Sequence, residues 1–347
     1  MAAERSTSAF QGFLVDAKQY WMSEVWQALK QDYRERSRGR NVASADGVAG
    51  VMRESPTYWF YSWLERHMQR AKYSGRYGLE TTLDGARATP PAGARLKLAE
   101  VAVPEYYAVV DTHQHPGNLA GAPNAGLVYK ASAQSTQPGA TNRYGLHERF
   151  ARFVGELGEF KRILEMGCGF GKSALPLAQR FPAAEIKAID LAAPCLELAA
   201  VEAGAAQVAN LAYEQADLRR TDYPAASFDL VTSTMVLHEL DTPALRESIR
   251  EASRLLEPGG TLVHLDFRVD EPFLEFIHYG HARRNNEPYM QEVNRFDIEA
   301  ELRSAGFEEV KTLPFEEVDG ATRPDWPTWR FPWAVFIARK ARSGKMA

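Results

Sequence analysis

The sequence predicts an α/β fold, with a mostly parallel sheet in its second half and a mainly helical unit before it. Three observations carry that expectation. From Arg162 onward, short apolar runs alternate with amphipathic segments of helical period, the pattern of strands crossed over by helices. Three alternating glycines, Gly167, Gly169 and Gly171, follow the first of these runs and open a helix-like segment. Before residue 75, by contrast, apolar and aromatic residues recur at helical spacing, without strand-like alternation.

In chain order, residues 1 to about 9 read as a loose tail, and Phe13 to Arg36 as an amphipathic helix through Phe13, Tyr20, Trp21, Val25, Trp26 and Leu29. A polar break over Ser37–Asp46 leads to a second helical pair, with Ser55 and Pro56 as a helix start before an aromatic-rich body. Leu96 to Asp111 alternates well enough for one or two strands, and Gly117 to Gly139 reads as a long loop or lid. Tyr144 to Phe160 is expected to be the helix that enters the second half. There, the apolar run Ile163-Leu164 that enters Glu165, Glu185–Ile189 ending on Asp190, a strand before Gln215, Phe228–Val231 and the segment after Pro258-Gly259-Gly260 read as five strands. The helices Ala244–Leu256 and Arg295–Ala305 follow, then strands at Glu308–Leu313 and Pro332–Ala338.

A buried strand that breaks into a glycine turn lets backbone amides approach a nucleotide-like ligand. The spacing excludes two common forms. A GxGxxG dinucleotide fingerprint counted from Gly167 would need glycine where Lys172 stands. A GxxxxGKS phosphate loop ending at Gly171 would need glycine where Met166 stands. Glu165, just ahead of the loop, also disfavours a phosphate and suits a ligand with a cationic amino-acid end.

Glu165 with Gly167, Cys168, Gly169 and Gly171 resembles the first motif of the class I S-adenosylmethionine-dependent methyltransferases. Asp190 and Leu191 stand about 20 residues on, where a carboxylate holds a ribose diol; Asp217 and Leu218 stand where the family places an acid near the adenine. Thr234 at the end of the fourth strand completes the expected cofactor set. The resemblance covers Tyr144 to about Lys340. It implies a Rossmann-like, doubly wound, seven-stranded sheet with an antiparallel last strand, S-adenosylmethionine as cofactor, and a division into residues 1–143, an accessory, lid or dimerisation unit, and 144–347, the catalytic domain.

Ligands of such sheets bind beyond the carboxyl ends of the strands, which points to Thr232–Leu240 for the acceptor. The Asn/Asp-Pro-Pro-aromatic tetrad of enzymes that methylate nucleic-acid bases is missing there. Together with a formal net charge of −4, this argues against a nucleic-acid substrate and for a small molecule. An alcohol acceptor needs its proton removed, so His238, with Glu239 beside it, is the expected catalytic pair. His278 and His281, in the aromatic segment 266–290, are expected at the substrate pocket. So are His113 and His115 of the DTHQH run, with Tyr129, Tyr144 and His147 as groups that close over the donor. His-x-His could ligate a metal, but the surroundings are not those of a metal hydrolase and none is expected. Two cysteines suggest neither a disulfide framework nor an arsenite methyltransferase. With no signal peptide and no long uncharged apolar run, a soluble cytoplasmic protein without membrane contact is expected, able to pair as a homodimer through the N-terminal unit. The alternatives are an S-, N- or C-methyltransferase, a nicotinamide-dependent oxidoreductase, and a non-catalytic binding module on the same fold.

Overall fold

The computed structural model of the protein describes residues 2–133, 145–323 and 325–342. Eight strands among them form one sheet: β1 (Leu96–Lys97), β2 (Arg162–Met166), β3 (Glu185–Asp190), β4 (Leu211–Gln215), β5 (Phe228–Thr234), β6 (Leu256–Phe267), β7 (Phe307–Pro314) and β8 (Trp333–Lys340). Their order is β1-β4-β3-β2-β5-β6-β8-β7. All neighbours are parallel except β8, which runs antiparallel to both β6 and β7. The seven strands from Arg162 onward are those expected. The eighth, β1, comes from the N-terminal half and pairs with β4 at the sheet edge.

β2 is central because both its faces are apolar. Ile163 faces one layer with Phe150 and Leu177, while Leu164 faces the other with Ile249 and Leu256. The order of the strands reverses beside β2, so the crevice beyond its carboxyl end is the natural ligand position of such a sheet.

The N-terminal helices run from Ala2–Tyr20 through a π-helical turn, Trp21–Val25, into Trp26–Ser37. The helix therefore begins well before Phe13, where the apolar period becomes visible. Polar residues without that period still extend a helix that later packing secures. Ser55 caps the helix Pro56–Tyr73 by accepting from Tyr58 N at 2.9 Å. Trp21, Trp26, Leu29 and Tyr61 form the core of this unit, and they pack on Phe273, Phe276 and Ile277 of the helix Pro272–Asn285.

Two segments differ from the sequence reading. Of Leu96–Asp111 only Leu96–Lys97 is a strand; the rest is loop and a short 3₁₀ turn, Glu105–Ala108. The region read as loop contains the helix Ala125–Ala133, which packs on the helix Ala193–Ala205. Gly126 permits that approach, since a Cβ there would stand 2.3 Å from the Pro194 carbonyl oxygen. Residues 134–144, including Tyr144, lie outside the described residues. No described helix is long and apolar enough to cross a membrane.

Candidate active site

The glycine loop leaves β2 and is tied at once to β3. Gly167 N and Cys168 N both donate to the Ile189 carbonyl, at 2.8 and 2.9 Å. Gly169 N donates to Asp190 Oδ2 at 2.7 Å and Ala192 N to Oδ1 at 2.8 Å, so backbone amides fix the Asp190 carboxylate in orientation. Gly167 has φ 71°, and a Cβ on it would lie 2.5 Å from Val236 Cγ2. Beneath the loop, Glu165 is fully buried and accepts from Ser173 Oγ, which in turn accepts from Thr234 Oγ1 at 2.7 Å. Among the described residues its second oxygen, Oε2, has no partner, and burial raises its pKa to about 7.

The loop forms the floor of a cavity of ≈ 970 Å³, mouth included. Residues before 134 cover it. Tyr129 sits edge-on to Phe170 at 5.3 Å and nearly parallel to the His113 ring at 6.2 Å.

On the far side a row of acids and imidazoles runs inward from the cavity. Asp266 accepts from Leu237 N at 2.7 Å and from Phe267 N at 2.8 Å, and faces His238 Nδ1 at 2.7 Å. His238 Nε2 lies 3.5 Å from Glu239 Oε1, which also takes His113 Nε2 at 3.0 Å. His113 Nδ1 reaches Glu287 Oε1 at 3.1 Å. Burial works against charge on both imidazoles, yet the carboxylates outweigh it. His238 is held well above its ordinary pKa by Asp266 and Glu239, and His113 is raised to about 10 by Glu239 and Glu287. Burial likewise opposes charge on Glu239, but the two imidazoles hold its carboxyl well below the usual range. His113 and Met235, both at the cavity wall, have left-handed backbones with φ 57° and 56°, the kind of local strain that clusters at binding sites.

Of the residues predicted from sequence, Gly167, Cys168, Gly169, Asp190, Leu191, Leu218, Thr234, Glu239, His113, Tyr129 and His147 line this one cavity. Others do not. Glu165 lies below the floor, and Gly171 packs toward Tyr213 and Ala199. Asp217 is turned away by Arg219, whose Nε and Nη2 approach its Oδ2 at 2.9 and 2.6 Å. His238 stands behind Glu239. His115 is buried edge-on to Tyr73, and His278 packs on Phe267. His281 turns to the N-terminal helices, where its Nδ1 meets Glu65 Oε1 at 2.6 Å. Position 281 lies on the face that the N-terminal unit covers, while 278 faces Phe267 of β6. Among the described residues no group of three or more His, Cys, Asp or Glu could hold a metal ion.

Sequence reasoning missed Tyr106, Tyr107, Lys172 and Ser173 at the cavity, and Asp266 and Glu287 behind it. Lys172 and Ser173 were within reach, because they directly follow the glycine loop. The tyrosines and Glu287 carry no local pattern.

A topological crevice, a glycine loop of this spacing and a carboxylate ending the next strand are features found in the class I S-adenosylmethionine-dependent methyltransferases. Residues 163–260 match the family described as methyltransferase domain, and this part of the chain is such a domain, with S-adenosylmethionine as its cofactor. The chain is 36% identical to a demethylmenaquinone methyltransferase of Deinococcus radiodurans, over 31% of this chain and 43% of that protein. It is 32% identical to the 27-O-demethylrifamycin SV methyltransferase of Amycolatopsis mediterranei, over 48% and 59%. To a malonyl-[acyl-carrier protein] O-methyltransferase of a Paenibacillus species it is 31% identical, over 43% and 56%. The chain thus spans about half the length of these relatives. The residues fit the cofactor: Asp190 keeps acceptor capacity on both oxygens for a diol, and the floor offers backbone rather than side chains.

Proposed function

We propose that the protein methylates a hydroxyl oxygen of a small molecule, in a site that residues 104–133 of the N-terminal unit close. The observation that carries this reading is the Glu239 carboxylate, kept ionised between two imidazoles at the cavity wall. When bound, S-adenosylmethionine supplies a methyl group already activated on a sulfonium. The protein's part is then alignment and exclusion of water. Glu239 accepts a hydrogen bond from the acceptor's hydroxyl and orients its oxygen toward the methyl group; its depressed pKa makes it a positioning group, and the proton passes to solvent as the ether forms. His113 and His238 hold Glu239 in place, so His238 acts here as a positioning residue and not as the base. Tyr106, Tyr107 and Tyr129 cover the site and keep water out. Two of the three relatives above are named for O-methylation, which agrees with this acceptor.

An amine acceptor is the second reading, favoured by the same carboxylate, since an N–H could donate to it and a neutral amine needs no strong base. The two separate in a screen of hydroxyl and amine compounds that follows S-adenosylhomocysteine release. For a hydroxyl acceptor, Glu239→Gln should reduce turnover on the order of 10²-fold or more while donor affinity is kept. A near-normal rate in that variant would refute the hydroxyl assignment. The division at residues 143 and 144 belongs to the same proposal, as does a homodimer through the N-terminal unit. Exposed Phe13, Tyr20, Trp59, Phe60 and Trp63 support the latter, and light scattering on purified protein tests it.

A further inference from the structure

We propose that Glu287 is a positioning residue for the reaction. It aims His113 at Glu239, and Glu65 of the N-terminal helices aims it in turn through His281. The inference rests on the role of Glu239 proposed above and extends it to groups that never touch a substrate.

Glu287 is 5% exposed, lies outside the cavity lining and follows the left-handed Asn286 that ends the helix Pro272–Asn285. Its backbone is fixed there, because its N–H donates to the Ala282 carbonyl at 2.9 Å. One carboxylate oxygen, Oε1, lies 3.1 Å from His113 Nδ1 and, at ion-pair distance, 3.7 Å from His281 Nε2. Beyond them, His113 Nε2 is 3.0 Å from Glu239 Oε1, and His281 Nδ1 is 2.6 Å from Glu65 Oε1. Acids and imidazoles thus alternate without a break from the cavity wall to the N-terminal helix Pro56–Tyr73. An imidazole is a rigid plate with its two nitrogens on separate edges. A partner that holds Nδ1 therefore sets where Nε2 points.

His113 sits in the short 3₁₀ turn Thr112–Gln114 with a left-handed backbone. The turn is fastened from outside. Gln114 Nε2 donates to the Arg284 carbonyl at 2.6 Å, and Asn286 Nδ2 to the Asp111 carbonyl at 3.1 Å. Gln69 Nε2, from the helix Pro56–Tyr73, donates to the His113 carbonyl at 2.7 Å. These bonds already join the turn to both neighbours, so the Glu287 carboxylate is not required as a clasp. Its Oε2 is buried without a partner among the described residues, and a bare buried acceptor costs stability. What the carboxylate adds is direction. Bonds to the backbone place the turn, and Glu287 sets the ring that faces Glu239.

NMR on the full chain at pH 7, with 15N-labelled histidine, tests the row without any acceptor. Charged at that pH and held at both nitrogens, His113 should give two slowly exchanging N–H signals, identified by their loss in His113→Asn. Glu287→Ala should remove the Nδ1–H signal and shift the other, whereas Glu287→Gln, which keeps an acceptor oxygen, should retain both. Glu65→Gln does not touch His113 and should still shift its signals; His281→Asn replaces that variant if circular dichroism shows it unfolded. Turnover is then followed as S-adenosylhomocysteine release at saturating S-adenosylmethionine. The acceptor is the hydroxyl compound that the wild type methylates fastest in the screen above. kcat should fall about tenfold or more in Glu287→Ala and recover most of that loss in Glu287→Gln. A folded Glu287→Ala protein with wild-type His113 signals, or with wild-type kcat, would overturn the inference. So would His113 signals that stay unchanged in Glu65→Gln. Signals that respond as expected, in a protein that methylates no hydroxyl compound, would overturn the hydroxyl reading and the positioning role with it.

Discussion

At His113 a single imidazole stands between two carboxylates, and its left-handed backbone turns it into the cavity. Its folded pKa, about 10, lies above the ordinary 6.5 because Glu239 and Glu287 outweigh the burial that opposes its charge. A raised pKa means that the folded protein holds this proton when the unfolded chain has released it. The stabilisation is then complete below about pH 6.5 and is lost as pH rises toward 10. We expect His113→Asn to lower the melting temperature most at pH 6 and progressively less up to pH 10, in parallel melts with the wild-type protein. A difference that stays constant over that range would show that the imidazole is not charged in the fold. This residue was legible as a candidate from the DTHQH run. Its partners were not, because Glu239 and Glu287 lie 126 and 174 positions away along the chain and only packing joins them.

Among elements, the segment from Tyr106 to Ala133 does the most for its length, since it brings Tyr106, Tyr107, His113 and Tyr129 over the glycine loop. Side-chain hydrogen bonds hold it, because much of it has neither helix nor strand to satisfy its backbone. Asn118 accepts from Thr112 N at 2.6 Å and donates to the carbonyls of Tyr107 and Val110 at 2.9 and 2.8 Å. Asn118→Ala would strand three backbone groups and should cost about 3 kcal/mol. Limited proteolysis should then cut between residues 104 and 120 in the variant well before the wild type, and equal cleavage rates would speak against the pin. Sequence patterning read this region as strand and loop. Of the alternating segment Leu96–Asp111 only Leu96–Lys97 pairs as a strand, and the short helix Ala125–Ala133, rich in Ala and Gly, has too weak a period to stand out. The strands from Arg162 onward were legible because burial on both faces forces continuous apolar runs.

Across the whole molecule, the two halves are joined by more than the β1 edge strand. Glu65 of the helix Pro56–Tyr73 is 2% exposed and pairs with His281 and Arg284 of the helix Pro272–Asn285. Burial opposes its charge, yet Arg284 and His281 hold its carboxyl well below the usual range. Removing one member leaves the others charged or polar in the interior, so Glu65→Ala should destabilise by about 3–5 kcal/mol. Urea unfolding followed by circular dichroism and by tryptophan fluorescence should show the loss in one shared transition. Two separated transitions, with the catalytic half unaffected, would mean that the halves fold independently. The same junction accounts for the position of His281, while His278 packs on Phe267 of β6. Aromatic and histidine residues after the fifth strand resemble a substrate pocket in sequence, but the N-terminal helices cover that face of the helix.

The sequence by itself determined the sheet class, the glycine loop with Asp190 behind it, and the donor that such a loop accepts. Those features are local: a strand, a turn and a cap within some 25 residues, each set by backbone conformation and apolar run length. Only the tertiary structure decided which carboxylate stands at the cavity wall, which histidines pair with it, and that residues before 134 roof the cavity. Those facts depend on the packing of segments far apart in the chain, where charge meets charge across distances that no local pattern records.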